Sequence, residues 1–195
     1  TDPKLLDEIK NFQGQEAIHR LQHQQYNELL CKLRGYDLEE FEEPLRKRMS
    51  WVQKNLPPRR QLAGTAAAEH LTAIMAHRML TKKDSFIDAD QNIAKLWYWH
   101  GIEETEHKSV SFDVFVEACD GGSRAYITRS IGMILGTAIG ASLLFSNLYL
   151  LVKEDKQLLN VKSALLMSHS VLIKPAILSK MLYHTPRYFL PGFHP

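Results

Sequence analysis

The sequence predicts an all-α protein. Apolar residues recur at three- and four-residue spacings along nearly the whole chain, and strand-like alternation is almost absent. Helix-start and helix-stop residues also punctuate the chain at intervals suited to long helices.

The first helix is expected to start at Asp2-Pro3, a cap followed by a first-turn proline, and to stop at Gly35. A more charged second helix follows Asp37 and fades before Pro57-Pro58. The segment "RRQLAGTAAAEHLTAIMAHRMLT" gives a third, rich in alanine and other small residues. A polar connection, "KKDSFIDAD", leads into a fourth that ends near Asp120-Gly121-Gly122. Ile131 to Val152 then runs for 22 residues without a charge. A last helical region, Leu158 to Leu182, is amphipathic to apolar and interrupted by Pro175. This pattern divides the chain into a helical bundle at 1–122 and apolar C-terminal helices at 123–195 that pack on the bundle or on a membrane.

With 195 residues the chain is long enough for a sizeable core. Its formal net charge of +2 offers no strong electrostatic case for a nucleic-acid partner. Cys31 and Cys119 are the only cysteines, which argues for a reducing compartment and against both a disulfide scaffold and a cysteine-zinc site. No signal peptide is visible, and localisation on the cytoplasmic side is expected. The chain starts at Thr1 without a methionine and stops at "LPGFHP", which suggests a fragment.

Ionisable residues concentrate in "WHGIEETEHKSVSFDVF" on the fourth helix. Positions three, four and seven apart share a helix face, so His100, Glu103, Glu104 and His107 fall within a sector of roughly 100°. Glu106 points away, toward solvent. The first helix repeats the theme: Phe12, Glu16, His19, His23 and Asn27 line one stripe. On the third, Glu69 sits among Leu62, Thr65, Thr72, Ala73, Ala76 and Leu80, where burial is expensive without a compensating positive charge. Two Glu-x-x-His elements on long helices, with one inward glutamate between them, form the pattern by which helix bundles build dinuclear carboxylate centres. Carboxylate oxygens with one imidazole per metal suit iron or manganese, and zinc less well. The expected cofactors are therefore two divalent metal ions, iron foremost, with manganese or zinc as alternatives.

The segments "GQEAIHRLQHQQYN", "AAAEHLTAIMA", "WHGIEETEHKSVSFDVF" and "YFLPGFHP" resemble the bacterial family labelled "predicted metal-dependent hydrolase", a branch of the ferritin-like superfamily. The resemblance implies a ferritin-like bundle with metal ligands Glu16, His19, Glu69, Glu104 and His107. It also calls for a further glutamate from a helix preceding the first Glu-x-x-His helix. No such helix precedes Thr1, so the expectation places it upstream, or another side chain fills the gap.

His100 and His23 remain candidates as additional ligands or as hydrogen-bond partners of ligands. Glu103 is a candidate either to bind metal or to accept a proton from a ligating imidazole, and Asp113 is a candidate acceptor for an imidazole from another helix. His70 and His77 share a different face, consistent with polar packing. His169, His184 and His194 carry no spacing signal.

The uncharged run is long enough to cross a bilayer, which needs ~20 apolar residues. Gly132, Gly136 and Gly140 form a small-xxx-small seam for close helix approach, and Arg124, Arg129 and Lys153 flank the run as at membrane interfaces. Membrane contact through Ile131 to Val152 is expected, as a hairpin with Leu165 to Leu182. A fully buried helix and a homodimer interface are the alternatives. The expected function is that of a metal-dependent enzyme acting on a small apolar substrate, by hydrolysis or by oxygen activation at a di-iron site. The alternatives are ferritin-type metal storage or a non-catalytic membrane-associated structural protein.

Overall fold

The computed structural model describes residues 2–82, 85–119, 121–172 and 183–195. Among these the chain is helical throughout, with no strand: α1 (Pro3–Arg34), α2 (Leu38–Asn55), α3 (Pro58–Thr81), α4 (Gln91–Cys119), α5 (Gly122–Glu154) and α6 (Val161–Leu172), followed by a 3-10 turn at Thr185–Phe189. A helical bundle with one long apolar helix is the architecture the periodicity predicts.

Local chemistry sets the boundaries. The Asp2 carboxylate accepts from the Lys4 amide, and Pro3 fills a position that needs no donor. At the other end Gly35 takes a left-handed conformation (φ 74°) and its N–H donates to the Cys31 carbonyl, closing α1. Asp37 caps α2 through the Glu39 amide. The proline at 175 and the second arm of the expected hairpin, beyond Leu172, lie outside the described residues.

Helix α3 is the centre of the packing. One side meets α4 and another meets α5, while α1 lies against α4 and α2 bridges α1 and α5. Its buried residues are Ala63, Ala66, Ala67, Leu71, Ala73 and Ala76, and this alanine surface lets backbones come close. Glycine completes both approaches. A Cβ on Gly101 of α4 would stand 3.3 Å from Leu80 Cγ and would collide with Met79. A Cβ on Gly132 of α5 would stand 2.9 Å from both the Ala63 Cβ and its carbonyl oxygen, and one on Gly136 would rest 3.5 Å from Ala67 Cβ. Gly140 meets nothing within 4 Å. The glycine seam of α5 thus has its packing partner within the chain.

Away from that seam α5 is open. Only Ala125, Arg129 and Met133 are buried along it, whereas Ile131, Ile134, Leu135, Phe145 and Tyr149 are each at least half exposed. Among the described residues α3 covers one stripe of α5 and leaves the rest open, unlike a helix buried on all sides. By length and composition α5 is sufficient to cross a membrane.

The closing segment is held on α5 and α4 by an arginine. Arg129 is 5% exposed and donates to the carbonyls of Leu190 (3.1 Å) and Phe193 (3.4 Å). Its guanidinium lies 5.2–5.6 Å from the ring centres of Phe112, Tyr126, Tyr188 and Phe193. Tyr126 donates to the Phe189 carbonyl. Arg129, expected as an interfacial charge, is instead an internal anchor, because carbonyls more than sixty residues later in the chain fold back over it.

Candidate metal centre

Helices α1, α3 and α4 bring their inward carboxylates and imidazoles to one place. Glu16 and His19 come from α1, Glu69 from α3, and Glu104 and His107 from α4. His107 Nδ1 lies 2.9 Å from Glu16 Oε1 and 3.8 Å from Glu69 Oε2. His19 Nδ1 lies 3.6 Å from Glu16 Oε1 and 3.9 Å from Glu104 Oε1. Two ligand trios result, Glu16/His19/His107 and Glu69/Glu104/His107, with the ligand atoms of each within 4.8 Å of one another. All five residues implied by the family resemblance therefore converge.

The interior of the centre is buried. His107 is 1% exposed and Glu104 4%, while Glu16 is the most open of the five and marks the side facing solvent. His19 Nδ1, Glu69 Oε2, Glu104 Oε2 and His107 Nδ1 are buried without a hydrogen-bond partner. The Glu16–His107 contact is short, but its angles are not those of a hydrogen bond, so Nδ1 keeps its lone pair unmatched. Orphaned buried acceptors facing one another are costly unless a cation joins them.

The electrostatics agree. Burial, reinforced by the Glu104 and Glu16 charges, pushes Glu69 up to about 7. Burial also raises Glu104, against a hydrogen bond from Thr72. Glu16 goes the other way, to about 2, because His107 and His19 stabilise its charged form. His19 is raised by its interaction with Glu16. Burial pulls His107 down, yet the surrounding carboxylates outweigh it and leave it raised. Burial and mutual repulsion thus oppose ionisation of Glu69 and Glu104, and the donor set is one that could hold a metal ion.

His107 is oriented from outside by a residue that the periodicity does not single out. Its Nε2 donates to Gln15 Oε1 at 3.3 Å, and Gln15 Nε2 donates to Glu106 Oε2 at 3.1 Å. A carbonyl oxygen can only accept, so this bond puts the proton on Nε2 and leaves Nδ1 as a lone-pair donor toward the trios. Glu106 is exposed, as its helix position predicts, but it fixes the Gln15 amide as well as meeting solvent. Phe12 packs its edge against the His107 ring at 4.7 Å between centres.

His23 and His100 form a third group with His19. Their Nε2 and Nδ1 atoms are 3.3 Å apart, and His100 Nδ1 is 3.8 Å from Glu104 Oε1. Burial lowers both, His100 to about 4, and nearby His19 adds to the effect. Trp97 and Trp99 close this side, Trp97 edge-on to His23 and Trp99 edge-on to His19. Glu103 is buried with Oε2 unpartnered. Asp113 does not serve a ligand imidazole: it is 2.8 Å from Nε2 of His194, on the closing segment. Its α4 face points to the chain terminus and not to α1.

A model of the family described as "predicted metal-dependent hydrolase" matches residues 1–195. The chain belongs to this family. Comparison with curated proteins and with solved structures returns no match. The metal dependence in the description of the predicted metal-dependent hydrolases has a physical counterpart here in His/Glu groups of α1, α3 and α4 that could hold a metal ion.

Proposed function

We propose that the protein is a hydrolase whose active centre holds two divalent cations between α1, α3 and α4. The observation that carries this is the meeting of three carboxylates and two imidazoles with four buried ligand atoms left unpartnered. Glu16 with His19 would hold one cation, Glu104 with His107 the other, and Glu69 would lie between them. This is the division used by ferritin-like helix bundles, and the pattern supports that kinship. Cations bound there would supply Lewis acidity, polarising a substrate carbonyl or phosphoryl oxygen and making bound water acidic.

The chain's own residues do the rest. Gln15 holds His107 in the tautomer that presents Nδ1, and Glu106 holds Gln15. Glu103, whose pKa burial raises, is the carboxyl beside these ligands available for proton transfer. Trp97, Trp99 and Phe12 keep bulk water from the imidazoles. The exposed apolar face of α5 supports a small apolar substrate and contact with the cytoplasmic side of a membrane. A homodimer through the same face is the other arrangement that would cover it.

A second reading has one observation in its favour. The donor set of three carboxylates and two imidazoles is, less one glutamate, the one that helix bundles use for paired iron, and iron there would supply oxidising chemistry toward dioxygen. One experiment separates the two. Metal content measured by mass spectrometry on purified protein should give about two divalent ions per chain. Activity of the zinc or manganese form without oxygen supports hydrolysis, and activity only of the iron form with oxygen replaces it by the second reading. Correctly folded protein that takes up no metal on reconstitution overturns both.

A further inference from the structure

Beside the carboxylates, α1 and α4 bring together ligand atoms of a different chemistry. His19 and His23 stand four residues apart on α1, the spacing at which two imidazoles on one helix face bind a single zinc ion. His100 meets them from α4, and the three ligand nitrogens lie within 4.8 Å of one another. No carboxylate belongs to this trio, whereas Glu16/His19/His107 has one and Glu69/Glu104/His107 has two.

The closest spacing within the trio points to a shared ion. His23 Nε2 and His100 Nδ1 are 3.3 Å apart. As a hydrogen bond this is long, beyond the usual range of ~2.7–3.2 Å. Two nitrogens each ~2.0–2.1 Å from one tetrahedral zinc stand roughly 3.3–3.4 Å apart, so the pair already has the separation that a common cation imposes. Trp97 holds both rings from outside, edge-on to His23 and His100 at 5.3 and 5.4 Å between centres, and Tyr26 packs on Trp97 at 5.8 Å. Glu104 Oε1, 3.8 Å from His100 Nδ1, closes the side toward the carboxylates. The His19 and His100 side chains remain 12% and 18% exposed, which leaves an ion a way in from solvent.

We propose that His19, His23 and His100 form a further cation site, for a late transition metal ion that prefers nitrogen, zinc foremost. Three imidazoles with a fourth position left free are a donor set that zinc takes, while manganese favours the trios that carry carboxylates. A neutral imidazole has one lone-pair nitrogen, so His19 serves one ion at a time. An ion in the imidazole trio therefore displaces the one assigned to Glu16 and His19 instead of adding to it, and zinc supply governs what the carboxylate centre holds. The site does not rest on the hydrolase proposal, because His23 and His100 have no part in that reading.

X-ray absorption at the zinc edge of the full chain, loaded with less zinc than protein, reads the ion's shell without any substitution. Three imidazoles are expected, and a single imidazole among carboxylate oxygens overturns the proposal. Titration against a competing zinc-binding dye gives the affinity. His23→Phe and His100→Phe keep a ring against Trp97 but offer no lone pair. Each should weaken the tightest zinc binding by more than the ~10–100-fold that loss of a ligand's hydrogen-bond partner costs. Manganese affinity and the melting temperature of the chelated protein should stay at their wild-type values. Zinc affinity unchanged in either variant overturns the proposal. So does an equal loss of zinc and manganese affinity, which would make the two histidines supports of the carboxylate centre.

Discussion

Glu16 Oε1 on α1 and His107 Nδ1 on α4 stand 2.9 Å apart, across 91 residues of sequence. They are pressed together without hydrogen-bond alignment, and Glu69 and Glu104 close in behind them. Replacing either group should therefore be felt at the whole centre. Glu104→Ala and His107→Ala should each remove metal loading, read as metal per chain by mass spectrometry. Loading equal to wild type in either variant would refute the ligand assignment.

Gln15→Ala should act more gently. It leaves every ligand in place but frees the His107 tautomer, so metal affinity should fall ~10–100-fold while the fold is retained. Competition with a metal-binding dye measures this. Glu106→Gln should weaken affinity less, because it acts only through Gln15.

In the metal-free protein Glu69 should contribute a loss of stability as pH rises from about 4.5 to about 7, while His70 and His100, lowered to about 4, contribute the opposite slope up to about 6.5. Glu69 is raised in the fold, so its protonated form is favoured there, and the penalty grows once the unfolded chain ionises near 4.5 and is complete above 7. The raised His19 and His107 act in the same direction: they stabilise below the usual imidazole value and lose that contribution as pH climbs through their folded pKa values. Glu16 opposes this only in acid, its contribution vanishing as pH falls from 4.5 toward 2. Bound metal should reverse the trend, since ligands must shed protons to bind. Thermal melts of wild type and Glu69→Gln at pH 5 and pH 8, with metal and with chelator, should show the Glu69 contribution as the difference between the two proteins.

Arg129→Met should destabilise by about 2–4 kcal/mol by leaving the Leu190 and Phe193 carbonyls without their donor. The closing segment should then be cut by protease before the bundle is. A wild-type melting temperature together with wild-type resistance would mean the arginine is dispensable.

Gly132→Ala should cost about 1–3 kcal/mol through collision with Ala63, whereas Gly140→Ala should be neutral or stabilising by up to ~1 kcal/mol. Denaturant midpoints of the pair give the comparison. A double change on the exposed side, Ile134→Glu with Leu135→Glu, should shift the protein from membrane to soluble fractions, and no shift would argue against bilayer contact.

Much of this was legible in the sequence, for a physical reason. Helical periodicity is a local property, so α1 to α5 and the inward faces carrying Glu16, His19, Glu69, Glu104 and His107 can be read along the chain. Contacts between distant segments cannot. Gln15 looks like any surface amide until α4 brings His107 within 3.3 Å of it. Arg129 looks interfacial until the closing segment covers it, and Asp113 looks suited to a ligand imidazole until His194 claims it.

The contact of Gly132 with Ala63 has a mechanical consequence. With no side chain between them the two backbones lie close, and a roll that brought any residue with a Cβ to this place would drive it into the Ala63 carbonyl. The two helices move as one lever. Whatever surface receives the open flank of α5 also sets the tilt of α3, and with it the depth at which the carboxylate of Glu69 is carried.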